Sequence, residues 1–402
     1  MSERSVVDRR DSQEHQATAQ AELDAGGAQA AAATVEAALQ RYRGPIIEAL
    51  HEALALARNA TPPSSANAAL VDELYGQIEY HLGWRAEDFT SVQSHPGKLL
   101  RPALTLLSCA VAAISAGAPE QSVRQVARRA LPGAAAVELV HNFSLIHDDI
   151  EDGDEQRRHR PTMWKLWGAP QAINSGDALF SLARLPLWTL VERGVTPALV
   201  VRLADRLDRT CLELCEGQHL DMTFEGRRSV SVAMYLDMIT RKTAALMRYA
   251  AELGGRIGAP DDEAIGAQLG EFGGALGLAF QLRDDLLGVW AAEDLGKTAA
   301  GDVRRKKMSL PVIHALEHAS AADARALNAI YAAPGPASDE QIARTLTIFA
   351  HTGAQQRVRA AIREQCDVAR AALVSACPNA SAQQSDAYAM LTALLAFVGS
   401  AA

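Results

Sequence analysis

The chain has 402 residues, of which 49% are hydrophobic and 22% are charged, and its formal net charge is −9. This composition is typical of a globular protein, and an acidic balance without a long basic stretch argues against nucleic acid as a partner. The five cysteines form no CxxC pair, which favours buried, reduced thiols. Because the N-terminus lacks the apolar core of a signal peptide and no stretch could span a bilayer, we expect a cytoplasmic protein.

The chain begins with a polar and then Ala/Gly-rich segment, residues 1–32, which has few large apolar side chains and is predicted to be a disordered tail. In residues 33–402, apolar positions recur at helical spacing between short Gly/Pro/Asp loops, and Pro45 predicts a kink or break in the first helix. No segment alternates polar and apolar residues with β-branched enrichment. We therefore expect one all-α domain, a large helical bundle.

The segment "LIHDDIEDGDEQRRHRP", residues 145–161, concentrates carboxylates and then arginines. Asp148 and Asp152 are four residues apart, so a helix places both on one face. Carboxylates at the C-terminal end of a helix oppose its dipole and repel each other unless a cation neutralises them. A divalent metal bound to a diphosphate satisfies both charges, because carboxylates bind the metal and guanidinium groups bind phosphate. An exposed acidic helix end is the alternative interpretation.

A second acidic pair, Asp284 and Asp285, lies in "GLAFQLRDDLLGVW", with Gln281 one turn earlier on the same stripe. The flanking residues are apolar, so the pair interrupts a helix that otherwise has the pattern of a buried one. Charges are rarely buried without a partner. Two such helices facing each other could hold divalent metals between them, with a diphosphate as the remaining ligand.

Lysine is rare in this chain, since only six of the 39 basic residues are lysine: Lys98, Lys165, Lys242, Lys297, Lys306 and Lys307. Lysine is a compact point charge, whereas arginine imposes a planar fork. A lysine in so arginine-rich a chain therefore marks a place where arginine would not serve.

Together these features resemble the trans-type polyprenyl diphosphate synthases, the family that makes geranyl, farnesyl and geranylgeranyl diphosphate. Five motifs stand in the family's order: "GKLLRP", "HNFSLIHDDIED" with "RRHRP", "RKT", "FQLRDDLLG", and "GK" followed by "KKMSLP". The resemblance implies a helical bundle with a central cavity and a homodimer. It also implies head-to-tail condensation of isopentenyl diphosphate with an allylic diphosphate, dependent on three Mg²⁺ ions for which Mn²⁺ may substitute.

The resemblance assigns a role to each matching residue. The catalytic set would be Asp148, Asp149, Asp152, Asp284, Asp285, Lys242 and Lys297, with Asp148, Asp152 and Asp284 as the metal ligands. The pocket for isopentenyl diphosphate would comprise Lys98, Arg101, His141 and Arg158. The allylic diphosphate would be contacted by Arg157, Lys242, Thr243, Gln281, Lys297 and Lys307.

One position departs from the family pattern. Many members carry a carboxylate at the fifth position of the second motif, whereas here "DDLLG" ends at Gly288. Some bacterial members are similar in having an acidic residue a few positions later. Glu293 or Asp294 could take that part, and the spacing leaves the choice open.

Product length depends, by the same resemblance, on the residues one turn before Asp148, which form the floor of the channel for the growing tail. Phe143 is aromatic, Ser144 is small, and "DDIED" has no insertion. This pattern resembles the geranylgeranyl type and favours a C20 product, with C15 as the alternative.

Two other functions share parts of the pattern. Class I terpene cyclases have a DDxxD motif, but their usual second motif of Asn/Asp, Ser/Thr and Glu is not found here. A non-catalytic subunit of a heteromeric synthase would be expected to lose aspartates or lysines, and only position 288 is altered.

Overall fold

The computed structural model describes residues 32–37, 39–59, 64, 66–92, 97–224, 227, 229–290 and 300–400. The predicted tail, residues 1–32, lies outside the described residues except for Ala32, as do Glu293, Asp294 and Lys297. Within these ranges the regular structure is helical apart from two short strands. The all-α fold class predicted from the helical spacing is therefore confirmed.

Nineteen helices and one π-helical turn occur in the described part of the chain. The first ten helices are α1 (residues 32–37 and 39–59), α2 (Ala68–His81), α3 (Leu100–Ser115), α4 (Glu120–Arg129), α5 (Leu131–Glu151), α6 (Met163–Trp167), α7 (Ala169–Leu182), α8 (Leu185–Trp188), α9 (Pro197–Phe224) and α10 (Val232–Ile239). After the π-helical turn Thr240–Ala244 follow α11 (Ala245–Gly258), α12 (Glu263–Trp290), α13 (Gly301–Arg304), α14 (Leu310–His318), α15 (Ala321–Ala332), α16 (Asp339–Thr352), α17 (Ala354–Ala376), α18 (Ala380–Gln383) and α19 (Asp386–Gly399).

One continuous hydrophobic cluster, extending along the chain from Val35 to Val398, fills the interior. Helix α12 packs against α11 and α17, and α11 packs in turn against α3. The second acidic pair is carried by α12, and the first by α5, which also contacts α3 and α11. The core therefore holds both acidic helices in one packed body.

Helix α1 is not interrupted at Pro45, so the predicted break there is wrong. Proline removes one backbone hydrogen bond, but most helical stability in proteins comes from tertiary packing. Ile46 is fully buried and Leu50 is 1% exposed, and their burial holds the chain helical across the proline.

A small hairpin, missed by the sequence analysis, contains the arginine run. Strands β1 (Gln156–Arg157) and β2 (Arg160–Pro161) pair antiparallel. The two residues between them, Arg158 and His159, have φ values of 53° and 61°. Positive φ at both central residues matches a type I′ turn, which usually carries Asn or Gly. Because neither residue is present here, the pattern offered no turn signal.

The hairpin is anchored to α2 and the segment after it. Arg160 donates from Nη2 to the carbonyl oxygen of Arg85 at 2.6 Å, and its guanidinium lies 3.9 Å from the ring centroid of Tyr80. Tyr80 donates its hydroxyl to the Pro161 carbonyl oxygen at 2.8 Å. These contacts hold Arg157 and Arg158 in place.

No helix in the described ranges is long and apolar enough to cross a membrane.

Candidate active site

The first acidic motif ends helix α5, and Lys242 lies across from it. The Nζ atom of Lys242 is 3.8 Å from Oδ1 of Asp148 and 2.6 Å from Oδ2 of Asp221 on α9. Burial raises the pKa of Asp148 to about 6, although the charge of Lys242 counters it. Burial would lower the pKa of Lys242, but Asp148, Asp221 and Asp152 outweigh it and the pKa is raised. Lys242 is therefore a stable cation at neutral pH.

Asp149 faces the arginine hairpin. Its Oδ1 atom accepts a hydrogen bond from Nε of Arg157 at 2.7 Å and forms an ion pair with Nη2 at the same distance. The carboxylate is 2% exposed, its Oδ2 atom has no hydrogen-bond partner, and burial raises its pKa to about 6. A buried carboxylate oxygen without a hydrogen-bond partner destabilises the folded protein. Such an atom is therefore expected where a further ligand binds.

Lys242 and Thr243 lie in the π-helical turn Thr240–Ala244. Such turns are rare and occur often at functional sites. Helix α9 packs against the turn at Gly217, where a methyl group would overlap the backbone nitrogen of Lys242. This close approach of two backbones requires glycine and brings Lys242 within reach of Asp221 on the same helix.

The second acidic pair is held from several sides. Asp285 is 1% exposed, accepts a hydrogen bond from the Tyr235 hydroxyl, and accepts another from Nε2 of Gln281 at 3.2 Å. Gln281 in turn accepts from Oγ1 of Thr243 at 3.0 Å. Burial raises the pKa of Asp285 to about 6, while the charge of Lys307 lowers it.

The four residues predicted to bind isopentenyl diphosphate line one cavity of about 160 Å³, which Thr243 and Phe280 also line. The four are Lys98, Arg101, His141 and Arg158. Nη1 of Arg101 lies 3.1 Å from Nε2 of His141. Burial, together with the charges of Arg101 and Arg158, lowers the pKa of His141 well below its usual value. The ring is therefore neutral and accepts the hydrogen bond, since arginine can only donate.

The comparisons with known proteins agree with this arrangement. The family model for polyprenyl synthetase matches residues 84–349. The chain belongs to the polyprenyl synthetase family. A geranylgeranyl diphosphate synthase of Mycobacterium tuberculosis is 41% identical over 300 residues, 72% of this chain and 81% of that protein. A (2E,6E)-farnesyl diphosphate synthase of Mycobacterium bovis is 40% identical over 290 residues, 71% of this chain and 76% of that protein.

Among solved structures, a polyprenyl synthetase from Streptomyces coelicolor superposes with a TM-score of 0.74 at 37% identity, covering 90% of this chain and 99% of that one. The family predicted from the order of the motifs is thus confirmed, and the protein is a prenyltransferase of the short-chain type.

Five further residues of this polyprenyl synthetase lie at the site but were not assigned a role from the sequence: Glu138, Gln218, Asp221, Tyr235 and Asp302. Gln218 donates from Nε2 to Glu151 at 2.6 Å. Gln218 and Asp221 share a helical face in "EGQHLDM". This pattern by itself fits two interpretations equally well, residues that line the site or a buried polar pair. Tyr235 and Asp302 gave no local signal, because their proximity to Asp285 depends on tertiary packing.

The predicted product-length residues lie against a second aromatic ring. Phe143 contacts Phe180 on α7 with ring centroids 4.9 Å apart in a T-shaped arrangement. The guanidinium of Arg184 lies 3.8 Å from the Phe180 ring centroid, and its Nε atom donates to Asp208 at 2.7 Å. Ser144 donates its hydroxyl to the carbonyl oxygen of His141 at 2.9 Å. Phe180 therefore lies beside Phe143, one of the two residues predicted to form the floor.

The carboxylates fit a divalent cation. They are hard oxygen donors of the kind that Mg²⁺ prefers. Burial raises the pKa values of Asp148 and Asp149, so a cation bound there would offset the cost of burying their negative charge. Within the described ranges, no group of three or more His, Cys, Asp or Glu residues could hold a metal ion by itself.

Proposed function

We propose that this polyprenyl synthetase condenses isopentenyl diphosphate with an allylic diphosphate and releases pyrophosphate, with geranylgeranyl diphosphate (C20) as the main product. The allylic substrate would be dimethylallyl, geranyl or farnesyl diphosphate. One observation carries the proposal: a cavity lined by Lys98, Arg101 and Arg158 is joined, through Thr243, to the turn that presents Lys242 to the first acidic motif. One anionic substrate would bind in the cavity and the other at the acidic motifs.

The allylic diphosphate is proposed to bind between the two acidic helices. Asp148 and Asp152 at the end of α5 and Asp284 on α12 would hold Mg²⁺, proposed as three ions for which Mn²⁺ can substitute. When bound, the metal supplies positive charge that stabilises the leaving diphosphate. Arg157, Lys242 and Lys307 would add cationic contacts as the C1–O bond breaks, and Lys297 keeps the same predicted role. Asp149 and Asp285 would orient Arg157 and Gln281 through the hydrogen bonds described above.

Isopentenyl diphosphate is proposed to bind with its diphosphate against Lys98, Arg101 and Arg158. The neutral ring of His141 would hold the Arg101 guanidinium in position without adding charge. The double bond then attacks C1 of the allylic cation, and the departing pyrophosphate takes the proton that is lost. Water must be kept from the site when both substrates are bound, because it would otherwise capture the cation.

The C20 product is proposed from the floor below the first motif. Ser144 would leave space that a second aromatic on α5 would fill, and the neighbouring Phe143 packs against Phe180. The C15 product remains the second candidate, because these two rings could stop a shorter tail and because one relative is named a farnesyl diphosphate synthase.

A cytoplasmic homodimer is the assembly that we propose. Helices α7, α8 and α9 are neighbours and expose large apolar side chains, including Ile173, Trp188 and Leu212. Apolar side chains gathered on neighbouring helices are typical of protein–protein contacts, and Trp188, which is 52% exposed, is the largest of them. Sedimentation equilibrium of wild type and Trp188→Asp tests this, and a wild-type monomer at micromolar concentration would contradict it.

The condensation itself is tested by incubating the purified protein with isopentenyl diphosphate and each of the three allylic diphosphates in Mg²⁺. We expect pyrophosphate release and, after dephosphorylation and chromatography, mainly the C20 alcohol. Excess chelator should abolish turnover. Full activity in chelator, or no condensation with any allylic substrate, would contradict the proposal, and the second result would favour a non-catalytic subunit.

A further inference from the structure

The glycine that breaks the family pattern faces a carboxylate from another helix. Gly288 lies one turn after Asp284 on α12, and a methyl group built on it would overlap the carboxylate of Asp302 on α13. The Asp302 carboxylate therefore occupies the space into which a side chain at position 288 would extend. Glycine is required here because Asp302 fills that space.

The segment that carries Asp302 is shaped to present it inward. Ala300 and Lys306, on either side of α13, have φ values of 53° and 56°. A left-handed conformation costs roughly 1–2 kcal/mol in a residue with a Cβ atom, so the surrounding contacts must hold it. Asp302 itself is 7% exposed.

Those contacts lie on the outer side of α13. Lys306 donates from Nζ to the Ala333 carbonyl oxygen at 2.6 Å, and Arg304 donates to Asp339 at 2.7 Å. The backbone nitrogen of Ala337 donates to the Arg304 carbonyl oxygen at 2.8 Å. Asp302 pairs with Arg305 at 3.0 Å, but the Arg305 side chain is 72% exposed, so solvent screens that pairing. Arg305 contacts the Oδ1 atom, whereas the Oδ2 atom of Asp302 is the one nearest to Gly288 on α12.

We propose that Asp302 supplies from α13 the carboxylate that Gly288 does not, and acts as a positioning residue for the metal-bound diphosphate at the second acidic motif. The inference rests on the proposed function. It assigns to Asp302 the part that the sequence alone left open between Glu293 and Asp294. The second motif is then completed by two helices rather than by one.

The test compares Asp302→Asn with wild type by two measurements. The first is the Mg²⁺ concentration that gives half-maximal turnover at saturating substrates. The second is calorimetric binding of inorganic pyrophosphate in the presence of Mg²⁺, which needs no turnover. Because replacing an outer partner of a metal site typically costs about 10–100-fold, we expect the Mg²⁺ requirement to rise and pyrophosphate binding to weaken by at least about tenfold. Values within twofold of wild type would overturn the proposal.

Two controls separate Asp302 from general loss of charge. Asp367→Asn removes an exposed carboxylate on α17, and the double variant Glu293→Gln/Asp294→Asn removes the two carboxylates that the sequence offered. Both should leave the Mg²⁺ requirement within twofold of wild type. A larger change in the double variant than in Asp302→Asn would overturn the assignment.

Relocating the carboxylate keeps the test decisive if Asp302→Asn fails to fold. In Gly288→Asp/Asp302→Ala the carboxylate moves to α12 and the overlap is removed, so we expect Mg²⁺-dependent pyrophosphate binding tighter than in Asp302→Ala. Equal binding in these two folded variants would contradict the proposal. Wild-type protein that neither condenses the substrates nor binds Mg²⁺ and pyrophosphate would instead refute the proposed function.

Discussion

The first acidic motif crosses the end of α5, whereas the second lies inside α12. At the end of α5, Asp148 and Asp149 meet cations brought by other elements, Lys242 from the π-helical turn and Arg157 from the hairpin. On α12, Asp285 is enclosed by neutral donors, Tyr235 and Gln281. Carboxylates paired with cations from other elements can exchange those partners for a metal, whereas a carboxylate bound by buried neutral donors stays where it is.

This difference assigns different tasks to the two motifs. The first is the part of the site whose charge pairs must rearrange when a metal and a diphosphate bind. The second keeps its shape, since Thr243, Gln281 and Asp285 form one chain of hydrogen bonds that ends next to Asp284.

Removing a proposed metal ligand from either motif should have the largest effect. We expect Asp148→Ala and Asp284→Ala each to lower kcat by about 10²–10³, the usual cost of losing one preorganised electrostatic element. Asp367→Ala, which removes an exposed carboxylate on α17, is the matched control and should retain wild-type kcat. Steady-state kinetics with circular dichroism of each variant decides it. If Asp148→Ala or Asp284→Ala stayed within twofold of wild type, that residue would not be a ligand.

Lys98 lines the cavity proposed for isopentenyl diphosphate, so its loss should affect binding of that substrate more than turnover. Lys98→Ala removes a charge-assisted contact worth about 1.5–3 kcal/mol, so the KM for isopentenyl diphosphate should rise about 10–100-fold with little change in kcat. Lys165→Ala, which removes a 47% exposed lysine paired with Glu155, should change neither constant. An equal rise in the KM of the allylic substrate would contradict the assignment of Lys98 to isopentenyl diphosphate.

The pH dependence of metal binding should report on both motifs. Asp148, Asp149 and Asp285 have pKa values of about 6, raised by burial. Below that pH Asp148, a proposed ligand, takes up a proton that a metal must displace, and protonation of Asp149 and Asp285 weakens their hold on Arg157 and Gln281. The affinity for Mg²⁺ with pyrophosphate should therefore fall by at least about tenfold between pH 7 and pH 5. Calorimetry at the two pH values tests this, and affinity that is independent of pH would contradict the burial of these carboxylates.

The same raised pKa values predict how the free energy of unfolding of the metal-free protein changes with pH. Unfolded aspartate titrates near pH 3.9, below the folded values, so the contribution of these groups is most favourable below that pH and is lost as the pH rises through about 6. Mg²⁺ with pyrophosphate should therefore raise the melting temperature more at pH 7 than at pH 5. A larger increase in melting temperature at pH 5 than at pH 7 would contradict this prediction.

Product length sharpens the comparison, because of the two acidic helices only α5 also carries residues proposed for the floor. Ser144→Phe should shorten the product from C20 to C15, since the ring occupies the space of the last isoprene unit. Phe180→Ala should lengthen it, because it removes the ring behind Phe143. Chromatography of dephosphorylated products measures both. A wild type that makes only C15, or an unchanged length in both variants, would contradict the proposed floor.

The sequence by itself determined the helical class, the family, and the residues within continuous motifs. Helical spacing places Asp148 near Asp152 and Gln281 near Asp285 without any tertiary information, because one turn of helix brings residues four apart onto the same face. The hairpin escaped prediction because Arg158 and His159 adopt positive φ without the residues that usually announce it. The break predicted at Pro45 was wrong because buried neighbours on the same helix outweighed the lost hydrogen bond.

Only the tertiary structure decided which charges meet across elements. The separations of Tyr235 from Asp285, of Asp221 from Lys242, and of Phe180 from Phe143 along the chain are too long for any local pattern. Gly288 is the clearest case. In the sequence it stands where many family members carry a carboxylate, and in the fold the Asp302 carboxylate fills the space beside it. Side chains from distant segments meet because the backbone packs at fixed distances, and that packing is a property of the whole core rather than of any one motif.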